Sequence, residues 1–289
     1  HNPYKYFLNV INCNTLKKLR NPDGCDWNKE QTHASLIPYL LEETYEVIEA
    51  IENNDFELLK EELGDLLLHI IFQAELADEK NEFNIYDSIF NINEKLIKRK
   101  PHIFANPNEE KWKKGNWEQA KKNEKNRSSV LEGVPKALPS LTKARRIQEK
   151  AAGVGFDWDN VDNVFEKIQE EIDELKEAIL SNKKNKIEDE LGDVLFSIVN
   201  LSRHIECDPE SSLRQSTNKF IYRFKLLEKH LDQKKINFQD QSLSELDVLW
   251  NKIKEKAKKQ IEKLNVWSLH YREYIVGFVV GFVIGAIVL

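Results

Sequence analysis

The chain has 289 residues, 32% of them charged and 40% hydrophobic, with only 10 Gly and 8 Pro and a formal net charge of -6. That balance is helix-rich and long enough for two ordinary domains, and its acidity argues against coating nucleic acid, which needs a basic surface. Cys13, Cys25 and Cys207 stand far apart with no C-x-x-C spacing, which argues against a disulfide framework or zinc site and suits the cytoplasm.

In chain order, the first unit is expected over 1–125. Tyr39, Leu40, Val47 and Ile51, then Leu63, Leu66, Leu67 and Ile70, fall at helical spacing, and Asn53-Asn54 marks the turn between two helices. Residues 126–140 (NRSSVLEGVPKALPS) carry Gly133, Pro135 and Pro139 and read as a linker. The second unit, 141–264, shows the same helix pair, broken at Ser181-Asn182. No run alternates with period two long enough to propose a strand, so the expected fold is all-α, two helical bundles in tandem. The N-terminus has no charged-then-apolar leader pattern.

The tail, 265–289, differs in kind. Ile275 to Leu289 has no polar side chain, and Gly277, Gly281 and Gly285 recur every four residues, as in helices that approach closely within a membrane. Trp267, Tyr271 and Tyr274 are interfacial anchor types. The apolar stretch is shorter than the roughly 20 residues of a spanning helix. Membrane contact through 275–289 and a buried apolar helix are both consistent with it.

An internal repeat organises the whole. LEETYEVIEAIENNDFELLKEELGDLLLHI (41–70) aligns with QEEIDELKEAILSNKKNKIEDELGDVLFSI (169–198) at a constant shift of 128 residues without a gap. Glu43, Glu46, Glu62 and Asp65 fall on Glu171, Glu174, Glu190 and Asp193. At slightly different shifts, Gly24-Cys25-Asp26-Trp27 echoes Gly155-Phe156-Asp157-Trp158, Lys95 and Arg99 echo Lys219 and Arg223, and Trp117 echoes Trp250. The unit is a duplicated domain.

Residues three or four apart on a helix share a face. Glu170, Glu171 and Glu174 on one helix, with Glu190 and Asp193 on the next, therefore gather carboxylates that repel one another unless a cation lies between them. Hard oxygen donors favour Mg²⁺, with Mn²⁺ as the alternative, because di-iron bundles add imidazole through E-x-x-H. His69 and His204 lie beyond the motifs and read as structural. A lone E-x-x-E is ordinarily a solvated helix face, but here the pair recurs with the same 15-residue spacer (47–61 and 175–189). Gly64 and Gly192, inside helices at a cost of about 1 kcal/mol relative to Ala, point to close approach of backbone or ligand. Lys167 and Lys186 each precede a carboxylate by four, and Lys219 and Arg223 form a further cationic pair. Trp250 is a base-stacking or packing residue. The first copy has Tyr39 and Leu58 where the second has Lys167 and Lys186, so the second is expected to be the main active unit.

The E-E-x-x-E … E-x-x-D arrangement, GCDWNKEQT, KRKPHIF and VGFDW together closely resemble the MazG-type nucleoside triphosphate pyrophosphohydrolases, over roughly 15–262. The resemblance implies a dimerising all-α enzyme that uses Mg²⁺ to convert a nucleoside triphosphate to its monophosphate and pyrophosphate. It implies Glu171, Glu174, Glu190 and Asp193 as metal ligands; the internal repeat makes Glu43, Glu46, Glu62 and Asp65 a candidate second site. It further implies Lys167, Glu170, Lys186, Lys219, Arg223 and Trp250 as nucleotide contacts. Glu170 and Glu174 are the candidates to orient the attacking water. Two other readings stay open on the residues alone: a related pyrophosphohydrolase acting on dUTP or phosphoribosyl-ATP, and a non-catalytic helical adaptor tethered by its tail.

Overall fold

The computed structural model describes residues 14–104 and 127–259. Cys13, Trp117 and the apolar tail 275–289 lie outside them. Every regular element among the described residues is helical, and the chain divides into two compact units, His1–Trp112 and Lys113–Leu289.

The first unit contains α1 (Asn14–Arg20), α2 (Asp26–Glu30), α3 (Ile37–Asn53), α4 (Phe56–Asp78), α5 (Ile85–Lys98) and α6 (Pro101–Phe104). Its centre is the antiparallel pair α3–α4. The break between them is chemical. Asn54 adopts the left-handed region (φ 54°), which asparagine tolerates better than most residues, and its N–H reaches the Ala50 and Ile51 carbonyls. Asp55 then caps α4, accepting from Leu58 N–H at 3.1 Å. Leu16, Leu36, Ile71, Phe72, Ala74, Leu76 and Ile85 form the core where α1 and α5 meet the C-terminal half of α4. Arg20 covers its edge, donating to both carboxylate oxygens of Glu79 at 2.5 and 2.8 Å while lying over the Phe72 ring.

The second unit contains α7 (Ser140–Ala152), α8 (Val161–Ser181), α9 (Lys184–His204), α10 (Pro209–Lys234) and a final helix, α11, over 243–259. The pair α8–α9 repeats α3–α4, down to the left-handed asparagine at the turn, Asn182 (φ 53°). Asn160 caps α8 through Asn163 N–H, and Asp208 caps α10 through Ser211 N–H. Residues 127–139, expected as a linker, run against α7: buried Lys150 donates to the Val130 carbonyl at 2.8 Å. The α10–α11 hairpin holds a separate core of Leu227, Leu231 and Ile253.

Both central pairs leave apolar surface exposed among the described residues. On α9, Leu191, Leu195 and Ile198 recur at i, i+4, i+7 and remain 47%, 48% and 46% exposed; on α4, Leu63, Leu67 and Ile70 do the same at 49%, 44% and 48%. Among the described residues no helix is long and apolar enough to cross a membrane. Cys25 and Cys207 are free thiols.

Candidate metal centre

In the second unit the helix pair brings Glu171 and Glu174 of α8 to Glu190 of α9, with one carboxylate oxygen from each lying within 4.8 Å of the others. Glu171 is 6% exposed, Glu190 half-buried and Glu174 exposed, so the cluster opens to solvent on one side. Asp193, one turn beyond Glu190, stands outside this tight group and lines the cavity beside it. Burial and the charges of Glu174, Asp189, Asp193 and Glu171 push the Glu190 carboxyl up from its ordinary value. Lys167 donates to Glu171 at 2.7 Å and to Glu170 at 3.0 Å. Those two carboxylates hold its ammonium above the usual lysine range. Lys186 is exposed on α9.

The first unit gathers Glu43, Glu62 and Asp65 at the same 4.8 Å spacing. Shielding from water, hydrogen bonding with Glu46 and the charges of Glu46, Asp65 and Glu62 push the Glu43 carboxyl up to about 7. The same forces raise Glu62.

Beside the second cluster lies a cavity of about 550 Å³ between α7, the 153–160 loop, α8 and α9. Lys167, Glu171, Asp193 and Asp157 give it cationic and acidic groups; Ile147, Phe156, Trp158, Val164 and Phe196 supply its apolar walls. Gln148, Ser197, Asn200 and Arg203 add the remaining polar groups. Lys219 and Arg223 on α10 and Trp250 on α11 do not line it. Trp250 packs on Phe220 at 5.2 Å between ring centres and against the α10–α11 core.

A family model described as the MazG nucleotide pyrophosphohydrolase domain matches residues 31–104 and again 160–227. The chain is 46% identical over 241 residues to a Thermotoga maritima protein named nucleoside triphosphate pyrophosphohydrolase/pyrophosphatase MazG, spanning 83% of this chain and 92% of that one. It is 39% identical over 249 residues to the nucleoside triphosphate pyrophosphohydrolase of Escherichia coli, spanning 83% of this chain and 94% of the relative. The chain belongs to the MazG nucleotide pyrophosphohydrolase family.

Its two MazG domains differ where the lysine stands. In the first, Tyr39 takes the place of Lys167 and packs edge-on against Trp27, ring centres 5.8 Å apart. Trp27 is the residue echoed by Trp158. The expected close approach at Gly64 and Gly192 is not met within the chain: a Cβ at either position finds no neighbour within 4 Å. Sequence reasoning passed over Gln148, Ser197, Asn200 and Arg203. Ser197 and Asn200 follow Asp193 at i+4 and i+7, so the helical spacing already placed them on the acid's face. Nothing local marked Gln148. His204 has the structural place expected for it, its Nε2 3.2 Å from Asp157 Oδ1.

Proposed function

We propose that the second MazG domain hydrolyses nucleoside triphosphates to nucleoside monophosphate and pyrophosphate in a Mg²⁺-dependent reaction. The observation that carries the reading is the oxygen-only cluster of Glu171, Glu174 and Glu190 opening beside a cavity that Lys167 also lines. Three carboxylates without histidine or cysteine are a donor set for a hard divalent cation, so the residues fit the group; Asp193 completes the set from the cavity side. When bound, Mg²⁺ supplies Lewis-acid polarisation of phosphate oxygens and a water of lowered pKa.

The chain's own groups account for the rest. Glu170 or Glu174 accepts a proton from the attacking water and fixes its direction. The water oxygen bonds to the α-phosphorus as the bond from that phosphorus to the α–β bridging oxygen breaks in line, and pyrophosphate leaves with the electron pair. Lys167 offsets charge on the acids until phosphate arrives. Lys186, Lys219 and Arg223 offset charge on the departing pyrophosphate. The names of the Thermotoga and Escherichia relatives support this activity.

The active form is a homodimer in this reading. The apolar stripes Leu191, Leu195, Ile198 and Leu63, Leu67, Ile70 stay close to half exposed among the described residues, and a second copy would cover them. The double variant Glu171→Ala, Asp193→Ala tests the site. Turnover of the eight common NTPs and dNTPs is expected to fall at least about a hundredfold, the scale at which charge stabilisation is lost. Unchanged turnover would show that hydrolysis does not reside there.

A further inference from the structure

We propose that the lysine-bearing half of α11 and the apolar stretch 275–289 together dock the chain on an anionic phospholipid membrane, the lysines against the headgroups and the apolar residues among the acyl chains. The inference does not depend on the hydrolase reading above. None of its residues belongs to the carboxylate cluster or to the groups assigned to the triphosphate.

Charge along α11 is the first argument. Residues 243–251 hold two acids, Glu245 and Asp247, and no base. Residues 252–259 hold Lys252, Lys254, Lys256, Lys258 and Lys259 against one acid, Glu255. Ile253 and Ala257, one turn apart, are buried, and Ile253 joins Leu227 and Leu231 in the α10–α11 core. That packing fixes which way the rest of the helix faces. Lys252, Lys256, Lys258 and Lys259 are exposed. Lys252, Lys256 and Lys259, at i, i+4 and i+7, share one face, and a single glutamate neutralises only one of them. Four or more lysines gathered on a helix beside an apolar membrane segment are the pattern that binds acidic lipid headgroups.

The chain that follows is the second argument. The 15 residues 275–289 carry no polar side chain, and Trp267, Tyr271 and Tyr274, of the types that settle at the membrane–water interface, precede them. Between Lys259 and Ile275 the bases Lys263 and Arg272 balance the acids Glu262 and Glu273, so the positive charge of this region is concentrated on α11. The apolar stretch is shorter than the roughly 20 residues of a spanning helix. A single short apolar anchor binds a bilayer marginally and reversibly, and stable attachment takes a second signal such as a polybasic patch. The lysines of α11 are that second signal. Residues 260–274 can span at most about 50 Å, which lets the patch and the apolar stretch engage one surface. Nucleic acid, the other polyanion that lysines suit, gives the apolar stretch nothing to bury against.

The test is flotation of the full chain with vesicles of phosphatidylcholine alone or of phosphatidylcholine with phosphatidylserine; aggregated chain sinks and is not counted as bound. The anionic vesicles should bind at least about a hundredfold more tightly than the neutral ones. The excess should disappear at about 1 M salt, where the screening length falls to about 3 Å. Lys256→Gln with Lys258→Gln and Lys259→Gln should weaken binding to the anionic vesicles about a hundredfold, at about fivefold per lysine, with an unchanged denaturation midpoint. Val280→Asp with Ile284→Asp should abolish binding to both kinds of vesicle. Equal affinity for neutral and anionic vesicles, or full affinity in the lysine variant, would take the lysines off the membrane and overturn the proposal. A chain that floats with neither vesicle overturns it too. In that event, a lower denaturation midpoint in the Val280→Asp, Ile284→Asp variant would assign the apolar stretch to the protein's own core, and retention on an RNA of unrelated sequence would assign the lysines to nucleic acid.

Discussion

Glu43 and Glu171 occupy the same place in two copies of one domain, and a single neighbour separates their chemistry. Lys167 lies 2.7 Å from Glu171, whereas Tyr39, its counterpart beside Glu43, carries no charge at neutral pH. The first cluster lacks that cation, and shielding from water with the charges of Glu46, Asp65 and Glu62 raises the Glu43 carboxyl to about 7. The linkage sign follows directly. A carboxyl whose folded pKa exceeds its unfolded value binds more protons when folded between the two values, so stability falls as pH rises through that window. Glu190 and Glu62 act in the same direction and His69, lowered by burial, acts in the opposite one, so the share of the metal-free urea profile between pH 5.5 and pH 8 that belongs to Glu43 is its difference from Glu43→Gln. Glu43→Gln should flatten the profile of the first unit. A stability that rises steadily from pH 5.5 to pH 8, unaltered by Glu43→Gln, would contradict the assignment. The acids and the lysine asymmetry were legible because the chain carries its own comparison, offset by 128 residues. The raised Glu43 carboxyl was not, since its largest cause is burial, which only packing creates.

At the scale of elements, the helix pairs and their breaks follow from local rules: apolar spacing, an aspartate or asparagine cap, and asparagine in the left-handed region at Asn54 and Asn182. Gly192 breaks those rules without reward inside the chain, because a methyl group there meets nothing within 4 Å. Gly192→Ala should therefore stabilise the isolated fold by up to about 1 kcal/mol, the helix-propensity difference, measurable as a higher denaturation midpoint. If the glycine serves a ligand or a second copy, the same variant should lose turnover or dimer. A variant equal to the parent in all three properties would leave the residue without a role. The 153–160 loop shows where legibility stopped. Its motif was recognised as an echo of the first copy, but its place over a cavity depends on Arg203, 46 residues further on, binding Asp157. No local periodicity reports such a contact.

For the whole molecule, the apolar stripes on α4 and α9 stay exposed among the described residues. Three side chains per stripe, each close to half exposed, predict a homodimer at micromolar concentration in sedimentation. Leu195→Glu with Ile198→Glu should yield a monomer of retained helicity and reduced turnover, whereas a wild-type chain that sediments as a monomer would contradict the assembly. All-α architecture and duplication were readable from composition and repeat, but the uncovered face was not, because half-exposure is a property of packing. The central claim, that the second MazG domain cleaves between the α- and β-phosphates, is tested most directly by product analysis of each NTP incubated with the chain and Mg²⁺. The account predicts monophosphate and pyrophosphate in equal amounts, lost in Glu171→Gln and largely retained in Glu43→Gln. Orthophosphate and diphosphate as products, or pyrophosphate release that persists in Glu171→Gln, would contradict it.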